Sequence, residues 1–64
     1  MNAARAEEKF LTRDEVRKIL RFSLLKLDEE IRAGRLRTYR FGRLVRISAS
    51  DLGEYIQSAK EPAK

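Results

Sequence analysis

The sequence predicts an α+β fold, mainly helical with a single two-stranded hairpin, on three observations. Apolar residues recur at helical spacing behind Thr12 and again behind Ser23, both side chains of the kind that cap helix N-termini. After Gly34 the apolar period shortens to two on either side of Gly42-Arg43, as in paired strands joined by a tight turn. Behind Ser48 the helical spacing returns with Leu52, Tyr55 and Ile56. A chain of 64 residues makes one domain with a modest core.

Residues 1–9 are small or charged and read as a flexible lead-in, with the domain spanning 10–59 and a flexible tail at 60–64. Thr12 followed by Glu15 is a capping box, and Leu11 opposite Val16 is a hydrophobic staple, so a first helix starts at Arg13 and runs to Leu20 or Arg21. Val16, Ile19 and Leu20 form its buried stripe. Ser23 caps a second helix over Leu24 to Ala33, Phe22 packs on Leu27, and Leu27 with Ile31 continues the core. One of Leu24 and Leu25 is expected to complete that core, and Gly34 to close the helix in a left-handed conformation. The connection Arg21 to Ser23 is short enough for a helix-turn-helix.

Strands are expected near 37–41 and 44–47 across a type II′ turn at Gly42-Arg43. Tyr39, Phe41, Val45 and Ile47 are assigned to the inner face, and Thr38, Arg40, Leu44 and Arg46 to the outer. A capping box of Ser48 with Asp51 starts a third helix that buries Leu52, Tyr55 and Ile56. Gly53 costs this helix about 1 kcal/mol relative to Ala, making it the weakest.

The charge is unevenly placed. Residues 1–30 hold seven basic and seven acidic side chains and residues 51–64 hold two and three, so the net +5 comes from six arginines between Ile31 and Ser50, where no acid occurs. Such segregation points to nucleic acid. Without Cys or His the chain has no thiolate, imidazole base or usual zinc ligand, and no cofactor, metal or small-molecule ligand is expected. Asp28-Glu29-Glu30 are consecutive and point about 100° apart on a helix, so they do not share a proton site; no catalysis is expected. No apolar run reaches the roughly 18 residues of a membrane span and no signal-peptide pattern is seen, so a cytoplasmic location without membrane contact is expected.

From Leu11 to Ile56 the chain resembles the small winged helix-turn-helix domains of the excisionase family, which share their architecture with the DNA-binding domains of MerR-type regulators. The matching residues are Leu11-Thr12, Glu15-Val16, Leu20, Ser23, Ile31-Arg32-Ala33-Gly34-Arg35-Leu36, Tyr39-Arg40-Phe41-Gly42-Arg43, Arg46-Ile47, Asp51-Leu52 and Tyr55-Ile56. The resemblance implies a recombination directionality factor of a phage or mobile element, or a small transcription regulator. It also implies that the second helix enters the major groove while the hairpin, the wing, reaches the minor groove or backbone. Two departures stand out. The glycine usual in the turn is Arg21, and the middle of the second helix reads Asp28-Glu29-Glu30, three carboxylates that oppose phosphate contact.

Recognition helices present their N-terminal side chains to base edges. The expected DNA contacts are therefore Ser23, Leu24, Leu25, Lys26, Glu29 and Arg32 on the second helix and Arg37, Arg40, Arg43 and Arg46 on the wing, with backbone contacts from Thr12, Arg13 and Arg21. Asp28 is expected to pair with Arg32 at i,i+4. The function expected is that of an excisionase-like accessory factor: it binds and bends double-stranded DNA for an integrase or recombinase, self-associates cooperatively on DNA, and resides with the nucleoid of a bacterial cell or phage-infected host. The alternatives are a small transcription regulator and, from another class, a protein-docking module using the acidic second helix.

Overall fold

The computed structural model describes residues 8–62. Three helices pack against a three-stranded antiparallel sheet in the order β1(Phe10–Leu11), α1(Arg13–Leu20), α2(Leu24–Arg32), β2(Tyr39–Phe41), β3(Leu44–Ser48), α3(Ala49–Ala59). β3 is the central strand, between β1 and β2. No helix among the described residues is long and apolar enough to cross a membrane.

The helix boundaries follow local chemistry. Thr12 Oγ1 accepts the Glu15 N–H at 3.0 Å while Glu15 Oε1 accepts the Thr12 N–H at 2.9 Å, the reciprocal capping box. Ser23 Oγ accepts from the Lys26 N–H at 3.0 Å. Ser48 Oγ accepts from the Asp51 N–H at 3.0 Å, which is half of the expected box. Both α1 and α2 end in Schellman motifs. In α1 the Phe22 N–H reaches Arg17 O at 2.9 Å and the Arg21 N–H reaches Lys18 O at 3.3 Å; in α2 the Arg35 N–H reaches Glu30 O at 3.1 Å and the Gly34 N–H reaches Ile31 O at 3.0 Å.

The left-handed position of each motif is where their chemistry differs. Gly34 takes φ +81° without a Cβ to clash, whereas Arg21 adopts φ 59°, ψ 41°. A left-handed conformation costs a non-glycine residue roughly 1–2 kcal/mol.

The core is Val16, Leu27, Leu36, Ile47 and Leu52, with Leu11, Leu20, Phe22, Ile31 and Tyr55 packed against it. Three expectations fail here. Ile19 and Ile56 are exposed, as are both Leu24 and Leu25, so neither leucine completes the core. The place was taken by Leu36, which follows the α2 terminus and is fully buried; it belongs to neither a helix nor a strand, so no period marked it.

The hairpin register overturns the expected faces. Phe41 pairs with Leu44, Arg40 with Val45 and Tyr39 with Arg46, and cross-strand partners share a face. A two-residue loop therefore joins even positions of one strand to odd positions of the other. Tyr39 and Phe41 lie on the face of Leu44 and Arg46, opposite Val45 and Ile47. There they meet Phe10 of β1 edge-on, with ring centroids 5.1 and 5.8 Å away. Gly42 has φ +62° and Arg43 does not have a positive φ, the pattern of a II′ turn rather than I′.

β1, only two residues long, has no periodicity that marks it in the sequence. Its register, Phe10 with Ser48 and Leu11 with Ile47, is continued by a hydrogen bond from the Ala49 N–H to Lys9 O at 3.0 Å. The Glu8 carboxylate accepts from the Ser50 N–H and hydroxyl at the start of α3. Glu8 and Lys9, assigned to the lead-in from sequence, are thus bonded to the domain; residues 1–7 and 63–64 of the expected lead-in and tail lie outside the described residues.

Replacing Arg21 by glycine removes the left-handed penalty against a smaller loss of unfolded-chain entropy restriction. Arg21→Gly is expected to stabilise the fold by about 0.5–1 kcal/mol, a rise of a few degrees in Tm for a domain of this size. A lower Tm in a thermal melt would contradict this account of the turn.

Candidate nucleic-acid interface

The acidic trio of α2 is dispersed by the fold. Glu30 turns inward, its side chain 6% exposed. Arg35 donates to both its oxygens, from Nε to Oε1 at 2.9 Å and from Nη2 to Oε2 at 2.8 Å; the Tyr55 hydroxyl donates to Oε1 at 2.9 Å and Lys26 Nζ to Oε2 at 3.2 Å. These donors, Arg35 first and Tyr55 second, outweigh burial and bring the Glu30 pKa down to about 2. Burial, and then the bond to Glu30, raise the Tyr55 pKa; the same carboxylate raises that of Arg35.

Asp28 accepts from Arg13 Nη1 of α1 at 2.6 Å instead of pairing with Arg32. α1 crosses close enough to supply a cation, which i,i+4 spacing within α2 could not reveal. Of the trio, Glu29 alone is left exposed and without an ion pair among the described residues.

The expected contact residues divide accordingly. Thr12 and Ser23 have their hydroxyl oxygens engaged in caps, and Arg13 is held by Asp28. Lys26 has its ammonium on Glu30 and 5.8 Å from the Phe22 ring centroid. Arg17 and Lys18 both pair with Asp14. In contrast Arg21, Arg32, Arg37, Arg40 and Arg43 are exposed and have no carboxylate partner among the described residues, while Arg46 is half-buried with Nη1 donating to its neighbour's carbonyl, Val45 O, at 2.9 Å. Of the six arginines between Ile31 and Ser50, only Arg35 is paired with a carboxylate among the described residues.

Their placement differs from the expected single outer face. Arg40 pairs with Val45 and Arg46 with Tyr39, so these two lie on opposite faces of the hairpin, with Arg43 at its tip. Arg43 and Arg46 join Thr12, Arg13 and Asp14 around an open notch of about 310 Å³ between the start of α1 and the hairpin. Arg13 continues this surface to Asp28 on α2. Arg37 stands apart: it precedes β2 and lines a different notch beside Asp51 and Glu54.

At 100° per residue, the core side of α2 is set by Leu27, Glu30 and Ile31, and the opposite side by Leu25, Glu29 and Arg32. No group of three or more potential metal ligands occurs among the described residues. Comparisons with protein families, curated proteins and solved structures found no match to this chain.

The Glu30 cluster generates a pH dependence of definite sign. With a folded-state pKa of about 2 against the ordinary 4.5, the unfolded chain binds more protons between these values. The stabilisation is therefore complete above the ordinary value and lost as pH falls towards the folded one. Thermal melts from pH 7 to pH 2.5 should show a smaller loss in Glu30→Gln than in the native chain, from a lower starting Tm. Parallel pH profiles would show that another carboxylate governs acid unfolding.

Proposed function

We propose that this chain is a winged helix-turn-helix that binds double-stranded DNA, in the manner of an excisionase-like accessory factor that bends DNA for a recombinase and performs no catalysis itself. The observation that carries the reading is the sorting of charge. Cations of α1 and the start of α2 are paired with carboxylates, whereas those of the turn, the end of α2 and the hairpin have no carboxylate partner among the described residues. Arginines left unpaired beside one another repel, and a polyanion relieves that repulsion.

The hairpin suits a blade set into a groove. Arg40 on one face and Arg46 on the other can address phosphates of the two strands while Arg43 enters between them, and guanidinium groups favour a narrow minor groove. Helix α2 then offers its outward face to the major groove. The dispersal of Asp28 and Glu30 supports this, because two of the three carboxylates that would oppose phosphate contact are engaged elsewhere.

Arg21 adds a separate argument. A strained left-handed arginine where glycine would be easier suggests that its charge is useful. A small transcription regulator would use the same surface; bending of DNA and dependence on a recombinase separate the two roles. Docking through an acidic α2 has less to recommend it, since that helix presents Glu29 as its one unpaired carboxylate among the described residues.

If Arg21, Arg32, Arg40, Arg43 and Arg46 supply four or five phosphate contacts, a plot of log K against log salt for duplex DNA should have a slope near −4. The Arg40→Ala/Arg43→Ala double variant should fold normally and reduce the steepness by about 2. No duplex retention at low salt would overturn the reading. Arg21→Gly, the more stable variant, is expected to bind DNA several-fold more weakly in the same titration; unchanged affinity would remove Arg21 from the interface.

A further inference from the structure

We infer that Leu25, with Leu24 beside it, reads the 5-methyl groups of thymine in the major groove; this rests on the reading of duplex DNA as the partner. The core is complete without either leucine, since α2 contributes Leu27 to it and Leu36 fills the remaining place. Leu25 is 67% exposed and Leu24 47%. A lone exposed leucine needs no explanation, but these two are adjacent in the first turn of α2, and Leu25 lies on the helix side turned away from the core.

The charge around them selects the occupant. Arg21 precedes the pair and Arg32 lies two turns beyond Leu25 on the same face; both are exposed and without a carboxylate partner among the described residues. A partner must therefore bring anionic groups to both ends of the face and something apolar to its middle. Duplex DNA does so, because the C5 methyl of thymine is the one apolar group among the base-edge features displayed in the major groove. Glu29, one turn from Leu25, accepts from the exocyclic amino group of cytosine or adenine, also displayed there.

Capping makes the placement firm. Ser23 holds the first turn through the Lys26 N–H, so the leucines project from ordered helix. The Arg13–Asp28 bond fixes α1 against this helix at its next turn. Neither leucine has a role in these contacts, and both are replaceable without disturbing them.

The test uses the full chain. Sites are selected from a random duplex pool, and a recovered duplex is resynthesised with deoxyuridine in place of each thymidine. Affinity should fall about fourfold for each methyl contacted, while Leu24→Ala/Leu25→Ala should bind the two duplexes alike and still melt cooperatively, with Tm lowered by no more than several degrees through the half-buried part of Leu24. Equal binding of both duplexes by the native chain overturns the inference and leaves DNA binding intact. A thymine preference that persists in the double variant also overturns it. Absence of any duplex binding overturns both readings, and a self-association of the free chain that the variant abolishes assigns the leucines to a second copy instead.

Discussion

The carboxylate of Glu30 lies where α2 approaches its end, and four donors converge on it: two from Arg35 just beyond the helix, one from Tyr55 of α3 and one from Lys26 of α2. Its backbone carbonyl accepts from Arg35 and Leu36 as well. One residue therefore ends the helix, aims the following segment and ties α3 to α2. A Schellman motif usually brings an apolar side chain after the turn against one inside the helix. Here the same geometry holds an arginine against a glutamate, and the apolar anchor comes one residue later, with Leu36 in the core. A carboxylate with this little exposure is tolerable only because its oxygens are saturated with donors.

This inward turn of Glu30 shapes the surface as much as the interior. It consumes Arg35 and Lys26, two cations that would otherwise lie near the exposed side of α2, and removes a negative charge from that helix. The Arg13–Asp28 bond does the same between α1 and α2. What remains without a carboxylate among the described residues is a set of arginines running from the turn before α2, through its last turn, to the hairpin. The fold thus separates a paired, structural population of charges from an unpaired one, and the two populations have different consequences. The paired set locates helices; the unpaired set makes a basic surface whose field a polyanion can satisfy.

Much of the architecture was legible because its signals are local. Thr12, Ser23 and Ser48 act within one turn of themselves, and Gly34 and Gly42 answer to their own backbone dihedrals. The candidate interface was legible only as composition: the arginine run was visible, but not which members were free or which face they occupied. The two-residue loop does carry the correct parity, because pairing Phe41 with Leu44 forces Arg40 and Arg46 apart, whereas one unbroken alternation through both strands places them on a common face. β1 left almost no signal, since two residues have no period. Its partner strand, Leu44–Ser48, is far along the chain, and only their pairing makes Phe10 part of an aromatic cluster with Tyr39 and Phe41.

By itself the sequence determined three capped helices, a glycine-turned hairpin and the segment that carries the excess charge, because caps, turns and net charge depend on residues within a few positions of one another. The tertiary structure alone decided that Glu30 faces inward while Leu24 and Leu25 face out, that Asp28 takes its cation from α1, and that arginines stand on both faces of the hairpin. Each of those outcomes depends on which distant element arrives beside a side chain, and packing chooses among neighbours that chemistry along the chain leaves equivalent.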